Sequence, residues 1–317
     1  PVFALALEID FPSKQLGRQP DVLPAFPDGQ GQLIVRDQHL HPPFVLVEGD
    51  MLDLRRAERV SGEGADELEA GKANLVYRSM EFLFKEADLE MPAVNLSCQN
   101  EIPLARGLGS SAAAIAGGLV AANALCLTKF TGSDLLEMGA TIEGHPDNVA
   151  ASLLGGLQLV ITEGQQLYSV PVTVPPGINA VLFVPEARIS TADARSVIPE
   201  QITVADAVHN VGRAALLVAA MATNHPEYLK LATEDRLHQP YRQPLFPAMK
   251  LLFKAAFDAG AVGVFLSGSG STVLALTEGR EMTVAYEMAE AARQARVEGD
   301  VKVTQPTPLG AHVVEAG

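Results

Sequence analysis

The sequence has 317 residues, 48% of them hydrophobic, and a formal net charge of -15 at pH 7. A chain of this size can bury a large core and form two domains, whereas its acidic balance argues against nucleic acids and anionic membranes, which both need a basic protein surface. No run of about 18 apolar residues and no basic leader before an apolar stretch is visible, so we expect a cytoplasmic protein without a membrane span.

The first half of the chain is predicted to form a sheet followed by helices. The strands are predicted from runs of Val, Ile and Leu at residues 3–11, 33–36, 44–47 and 93–97. The helices are predicted from the spacing of apolar residues at 72–87, 110–127, 133–143 and 148–154. Cys98 and Cys126 lie in apolar segments, which is typical of reduced structural thiols, and we expect no disulfide between them.

The second half of the chain has a less regular order of elements. Strands are predicted at residues 157–162, 167–172 and 178–184, and helices at residues 204–221, 226–237, 246–259 and 281–296. A strand, a glycine turn and a second strand are predicted over residues 262–277, and a final strand pair closes this half. The irregular order favours an α+β fold over a doubly wound parallel sheet.

The most informative stretch is the glycine-rich run from Ile102 to Ala114, which leads directly into a helix of small residues. Its glycines let the backbone approach a ligand, and the start of the helix offers unpaired N–H groups and the positive end of a dipole. Together these features predict a phosphate site. Ser110 and Ser111 have an alternative explanation as helix caps. The dinucleotide fingerprint does not fit, because residues 100–106 separate the preceding strand from the first glycine.

Several segments resemble those of one family, the GHMP kinases. The run Gly-Leu-Gly-Ser-Ser-Ala-Ala after Pro103 resembles the second motif of the family, and residues 266–275 are similar to its third. Residues 143–150 resemble the substrate segment of the homoserine kinases, and residues 191–199 and 239–242 resemble their two arginine segments. The chain is therefore identified as a member of the GHMP kinases, most like the homoserine kinases within that family.

The resemblance implies the α+β, two-domain fold of the GHMP kinases. Residues 1–163 would form a nucleotide-binding domain like domain 2 of ribosomal protein S5, and residues 164–317 a ferredoxin-like domain. It also implies ATP as co-substrate. The nucleotide-binding residues that it implies are Pro103, Leu104, Ala105, Arg106, Gly107, Leu108, Gly109, Ser110, Ser111, Ala112, Ala113 and Asn74. Without the family, Asn74 would be an ordinary helix cap.

The resemblance further implies the reaction, in which the γ-phosphoryl group of ATP moves to the side-chain hydroxyl of L-homoserine. The product, O-phospho-L-homoserine, belongs to threonine biosynthesis. Ser111 and Glu143 would bind Mg²⁺, a hard cation that takes one or two protein oxygens and keeps several waters. Without the family, Glu143 would be an exposed acid at a helix end.

L-Homoserine brings a carboxylate, an ammonium group and the reacting hydroxyl. Arg195 and Arg242 suit the carboxylate, because guanidinium groups form paired, charge-assisted hydrogen bonds with it. Asn148, Asp147 and His145 are the implied catalytic residues. Asn148 is expected to position the hydroxyl, and His145 is also expected to contact the substrate. Whether Asp147 acts as a base, or no base is needed, stays open. The remaining histidines show no metal-ligand spacing and are assigned no role: His39, His41, His209, His225, His238 and His312.

Two alternative functions stay open at this point. One is another GHMP kinase, acting on mevalonate, a sugar or a diphosphocytidyl polyol; the paired arginines favour an amino acid instead. The other is a binding protein on the same fold without catalysis, against which the retained Ser111 and Glu143 argue. The first GHMP motif should precede Leu5 and is absent, and we expect residues missing from the sequence rather than lost activity. A homodimer is left open.

Overall fold

The computed structural model describes residues 5–10, 32–36, 58–68, 71–92, 94–126, 130–164 and 166–314. These residues form two compact units that are interleaved along the chain. Of the described residues, unit 1 contains 103–108 and 171–306, and unit 2 contains the others. The boundary between the units therefore cuts the glycine-rich run between Leu108 and Gly109. The last described segment, residues 307–314, belongs to unit 2.

The elements of the first half are β1 (Leu5–Asp10), β2 (Gln32–Arg36), β3 (Glu58–Gly62), α1 (Leu75–Glu86), β4 (Asn95–Asn100), α2 (Ser110–Leu125), α3 (Gly132–Glu143), α4 (Asp147–Leu154), β5 (Leu157–Glu163) and β6 (Gln166–Val172). Those of the second half are β7 (Ile178–Pro185), α5 (Thr191–Ser196), α6 (Val204–Ala222), α7 (Leu229–Ala232), α8 (Gln239–Arg242), α9 (Met249–Asp258), β8 (Gly263–Leu266), β9 (Val273–Glu278), α10 (Glu281–Gln294), β10 (Gly299–Thr304) and β11 (His312–Val314). Short 3-10 helices lie at Gly71–Ala73, Pro226–Tyr228 and Gln243–Leu245.

Unit 2 packs a sheet and four helices. The sheet has the strand order β11-β2-β1-β4-β3, and its pairs are antiparallel except for the parallel pair β3 and β4. Helix α2 is apolar on every side and is buried, as such a helix must be in a folded protein. Helix α1 comes close to it, because a Cβ on Gly118 would lie only 2.5 Å from the carbonyl oxygen of Val76. This close packing holds the middle of α2, the helix at whose start the phosphate site was predicted.

Unit 1 is built on an antiparallel sheet with the strand order β10-β7-β9-β8. Helices α9 and α10 bury Leu252, Val284 and Met288 completely in one core with the strands. The turn between β8 and β9 is the second glycine run, and it is closed by a hydrogen bond from Ser267 N to Thr272 O. Among the described strands, β5 and β6 pair only with each other and form a separate two-stranded sheet.

Most predicted elements are found, and two predictions are wrong. The final strands do not pair with each other: β10 pairs with β7, whereas β11 pairs with β2 in unit 2. Pro306 and Pro308 lie between them, and prolines, which lack an N–H group, disfavour a hairpin there. The helix predicted over residues 226–237 ends at Ala232. The Asp235 side chain accepts hydrogen bonds from the backbone N–H groups of His238 and Gln239, and such local bonds compete with a continuing helix.

Three elements were not predicted: strand β3 and helices α5 and α8. The strand predicted at residues 44–47 lies outside the described residues, and the domain boundary between residues 163 and 164 stays a prediction. Cys98 and Cys126 are buried and form no disulfide, and burial raises the pKa of Cys126 to about 11.

Within the described part of the chain, α6 alone has the length and composition of a helix that could cross a membrane. One helix of this kind is weak evidence for a membrane span. The first half of α6 also carries polar side chains, namely Asp206, His209, Asn210 and Arg213.

Candidate active site

The first part of the glycine-rich run, residues 103–108, is held within unit 1 by the side chain of Arg106. Its Nε donates to the carbonyl oxygen of Pro185 at 2.7 Å, Nη1 to that of Leu104 at 3.1 Å and Nη2 to that of Glu186 at 3.0 Å. All three guanidinium nitrogens are therefore engaged by backbone carbonyls. Three of its five N–H donors are thus used to hold the loop, and the role of Arg106 in nucleotide binding stays a prediction.

The neighbouring Gly107 fixes the same part of the loop against the second glycine run. Its carbonyl oxygen accepts a hydrogen bond from Ser267 Oγ at 2.7 Å. Its φ is +73°, and a Cβ in its place would lie 2.0 Å from the carbonyl oxygen of Ser267. The carbonyl oxygen of Arg106 accepts a hydrogen bond from Thr272 N at 3.3 Å. The position of Gly107 thus requires glycine for its backbone conformation and for its packing.

The second part of the run, residues 109–113, opens α2 in unit 2. Gly109 is the capping residue, with φ +78°, and no side chain caps the first turn. A Cβ on Gly109 would meet no described atom within 4 Å. The alternative explanation of the serines as caps is not what the structure has, since Ser110 and Ser111 are the first helical residues. The N–H groups of this turn lack side-chain acceptors and are suited to an anion.

Ser111 and Glu143 meet in unit 2, at the start of α2 and the end of α3. Ser111 Oγ donates to Glu143 Oε1 at 2.5 Å. Helix α3 stops at this carboxylate because Gly144 follows in the left-handed conformation, with φ 86°. Among the described residues no three His, Cys, Asp or Glu side chains gather into a metal site. A hydroxyl and one carboxylate nevertheless fit a hard cation that keeps waters and also binds phosphate oxygens.

The three predicted catalytic residues lie together at the start of α4. His145 Nδ1 is 3.0 Å from Asp147 Oδ1, and the same oxygen accepts a hydrogen bond from Asn148 N at 2.8 Å. The Asn148 side chain is exposed, and its amide makes no hydrogen bond with the described residues. The arrangement leaves the Asn148 amide available to a ligand and commits one oxygen of Asp147 to protein groups.

Asn74, the predicted adenine contact, is buried at the start of α1. Its Oδ1 accepts a hydrogen bond from Val76 N at 2.9 Å, so the side chain caps the helix. The capping role that the sequence offered as the alternative is therefore present, and the contact with adenine stays a prediction.

The two predicted carboxylate-binding arginines lie near each other in unit 1 but are held differently. Arg195 is exposed on α5 and makes no hydrogen bond with the described residues. Arg242 donates from Nε to the carbonyl oxygen of Ala194 at 3.1 Å and from Nη1 to that of Gly268 at 3.0 Å, and its Nη1 is 3.2 Å from His238 Nδ1. Burial lowers the pKa of Arg242, the charge of Asp235 raises it and that of Arg195 lowers it again, with a net change downward. Two guanidinium groups that act on each other in this way suit an anion, and their role in binding a carboxylate stays a prediction.

Comparison with known proteins decides the family. The family model described as "GHMP kinases N terminal domain" matches residues 74–156, and "GHMP kinases C terminal" matches residues 205–294. A homoserine kinase of Moorella thermoacetica is 40% identical over 255 residues, which are 80% of this chain and 86% of that protein. One of Caldanaerobacter subterraneus subsp. tengcongensis is 44% identical over 218 residues, 69% of this chain and 70% of that protein.

The chain belongs to the GHMP kinase family. A solved structure agrees, since the crystal structure of homoserine kinase from Cytophaga hutchinsonii matches with a TM-score of 0.76 and 26% identity, over 99% of this chain and 97% of that one. The predicted family and the predicted two-domain GHMP kinase fold are confirmed. The roles of the individual site residues stay predictions.

Two residues near Arg242, His238 and Asp235, were assigned no role from the sequence. The structure brings His238 against Arg242, one of the predicted substrate residues. The spacing of His238 and Arg242 could have indicated this contact, because residues four apart on a helix lie on the same face. The sequence did not predict a helix there, since α8 has only 4 residues, contains Pro240 and is too short for a periodic pattern.

Proposed function

We propose that this GHMP kinase transfers the γ-phosphoryl group of ATP to the side-chain hydroxyl of L-homoserine. The observation that carries the proposal is the match to curated homoserine kinases over most of their length and most of this chain. The pair Arg195 and Arg242 supports it, because an α-amino acid needs a site for its carboxylate. ATP and L-homoserine are the proposed partners, and the chain would act in the cytoplasm in threonine biosynthesis, without nucleic acid or membrane. A homodimer stays a prediction.

The chain's contribution to phosphoryl transfer is positioning and charge. The N–H groups at the start of α2 would bind phosphate oxygens, and the fixed residues 103–108 would hold the loop in shape. Ser111 and Glu143 would hold Mg²⁺, which neutralises phosphate charge when bound. A γ-phosphoryl group presented in one orientation needs little covalent help from the protein.

The acceptor would be placed by side chains at both ends of the amino acid. Arg195 and Arg242 bind the carboxylate, and the Asn148 amide accepts or donates at the hydroxyl. The acceptor oxygen then bonds to the γ-phosphorus as the bond to the bridging oxygen of ADP breaks. The hydroxyl proton is released to solvent, either directly or by way of Asp147. Oδ1 of Asp147 is hydrogen-bonded to His145 and to the Asn148 backbone, and Oδ2 makes no hydrogen bond with the described residues, so the choice of base stays open.

An acceptor panel tests the function directly. ATP consumption is measured with L-homoserine, L-threonine, mevalonate and galactose, each at several concentrations with Mg²⁺. We expect turnover with L-homoserine alone. Turnover with mevalonate or galactose instead would assign the chain to another branch of the family, and Mg·ATP binding without turnover on any acceptor would indicate a binding protein.

Arginine variants test the acceptor site. Arg195→Ala and Arg242→Ala should each raise the KM for homoserine by about one to two decades with little change in the KM for ATP, since each removes a charge-assisted hydrogen bond. Arg242→Ala should also lower stability, because it leaves two backbone carbonyls without a donor. Arg293→Ala, an exposed arginine bonded to Glu290 on α10, is the matched control. Unchanged homoserine kinetics in either site variant would remove that residue from the acceptor site.

A further inference from the structure

The orientation of Arg242 depends on three acceptors, of which one can be titrated. Two are backbone carbonyls, those of Ala194 and Gly268, and the third is the imidazole of His238. A guanidinium group has N–H donors and no acceptor, so Nδ1 of His238 must be unprotonated and accept. Nη2 of Arg242 makes no hydrogen bond with the described residues and is the nitrogen left for a ligand.

Asp235 favours the tautomer of His238 that this contact requires. Its side chain is only 7% exposed and accepts hydrogen bonds from Asn210 Nδ2 at 2.7 Å and from the N–H groups of residues 237–239. Burial alone would raise the pKa of Asp235, but these hydrogen bonds and the charge of His238 lower it. The resulting carboxylate has Oδ1 3.6 Å from His238 Nε2, and its charge favours a proton on Nε2 over one on Nδ1.

We propose that His238 is a positioning residue, whose Nδ1 holds the guanidinium group of Arg242 so that Nη2 faces the carboxylate of the acceptor amino acid. The inference rests on the proposed function for the identity of that acceptor. The contact between His238 and Arg242 itself does not depend on it.

The contact has a defined pH dependence. Burial lowers the pKa of His238, the charge of Asp235 raises it and that of Arg242 lowers it again, with a net change downward. These two groups face the ring, and Arg195 acts on Arg242 from α5. The ring is therefore neutral at neutral pH, and it takes up a proton only at a lower pH than an ordinary histidine does. Protonation places an N–H donor and a positive charge against Arg242, so the contact is present above the pKa and lost as the pH falls through it.

Kinetics over a pH series test the consequence for the acceptor. The KM for homoserine is measured at saturating Mg·ATP from about pH 5 to about pH 8 for the wild type, His238→Ala and His238→Asn. The wild-type KM should rise about tenfold toward acid pH, the alanine variant should be about tenfold higher at neutral pH already, and the KM of the asparagine variant should not rise with acid. An asparagine amide oxygen can accept from Arg242 but does not titrate.

His225→Asn is the control. It changes an exposed histidine of unit 1 that contacts Glu227, and it should keep the acid-induced rise in the KM for homoserine. If His238→Asn shows the same rise as the wild type, the inference is overturned, because substrate titration or another group then causes it.

Nitrogen-15 NMR of the histidines gives a second test that requires no turnover. The neutral His238 ring should carry its proton on Nε2, and its titration should shift the Nε–H signal of Arg242. A proton on Nδ1, or an Arg242 signal that does not respond, would overturn the inference. A wild type that phosphorylates no homoserine would instead refute the proposed function, and the NMR result would then decide about His238 alone.

Discussion

The two parts of the glycine-rich run differ in what holds them. Residues 103–108, the fixed part, are held by three bonds of Arg106 and by the packing of Gly107. Residues 109–113, the open part, start a helix without a side-chain cap, and a side chain at Gly109 would meet no described atom. Glycines of nearly equal φ in one motif thus have different functions. Changes in the fixed part should lower stability, and changes in the open part should lower binding and turnover.

The largest effect is expected from the carboxylate that meets the open part. Glu143→Gln should lower turnover by about 10²–10³-fold and raise the Mg²⁺ concentration needed, because it removes the charge of a proposed metal ligand. Turnover is measured across a Mg²⁺ titration. Glu137→Gln, on the same helix and exposed, is the control and should behave as the wild type. A wild-type titration for Glu143→Gln would remove this residue from the metal site.

Gly109→Val tests whether the open part binds nucleotide. A β-branched residue at φ +78° is strained and would fill the space that the phosphates are proposed to approach. Unfolding is measured with and without Mg·ATP. The wild type should gain ~2.7 kcal/mol at a hundred times its Kd, and the folded variant should gain nothing. Equal stabilisation of both proteins would place the nucleotide elsewhere.

The same substitution at two glycines measures the difference between the two parts. Gly107→Ala and Gly109→Ala both place a Cβ at positive φ, so they share the conformational cost. Only at Gly107 does that Cβ meet a carbonyl oxygen at 2.0 Å. Gly107→Ala should therefore lower the free energy of unfolding by ~1–3 kcal/mol more than Gly109→Ala, measured in urea. Equal losses would show that packing does not distinguish the two glycines.

The smallest effect is expected at Arg106. Arg106→Lys keeps the charge but cannot reach three carbonyls at once, and it should cost ~1–2 kcal/mol of stability. Its KM for ATP should rise only modestly, since the side chain is not proposed to touch phosphate. Arg293→Lys, which changes an exposed ion pair on α10, should cost almost nothing. If Arg106→Lys were fully stable but lost ATP binding, Arg106 would be a phosphate ligand.

Local sequence signals predicted the elements better than their pairing. Helix α2 was predictable because a long apolar run follows Gly109, and β8 and β9 because a glycine turn joins them. The pairing of β11 could not be predicted, because its partner is β2, near the other end of the described chain. Pairing between distant strands depends on the packed core and leaves no local pattern.

The same limit applies to the candidate site. The motif segments indicated Ser111, Glu143, Arg195 and Arg242 as candidates, and the first two prove to be bonded to each other. The sequence could not indicate that the Arg106 side chain turns to backbone carbonyls, because a guanidinium group next to a phosphate loop is equally suited to phosphate.

Strand β11 has a consequence for synthesis of the protein. It supplies the edge of the sheet beside β2, and residues nearby add hydrogen bonds from Gly156 N to Thr307 O and from Ala311 N to Ser152 O. A ribosome makes β2 before residues 103–108 and 171–306 of unit 1, and it makes β11 after them. Throughout that interval the nascent chain lacks the strand that pairs with this side of β2, and an open strand edge is a surface on which other chains can pair. The sheet of unit 2 is thus completed only after these residues of unit 1 have been made.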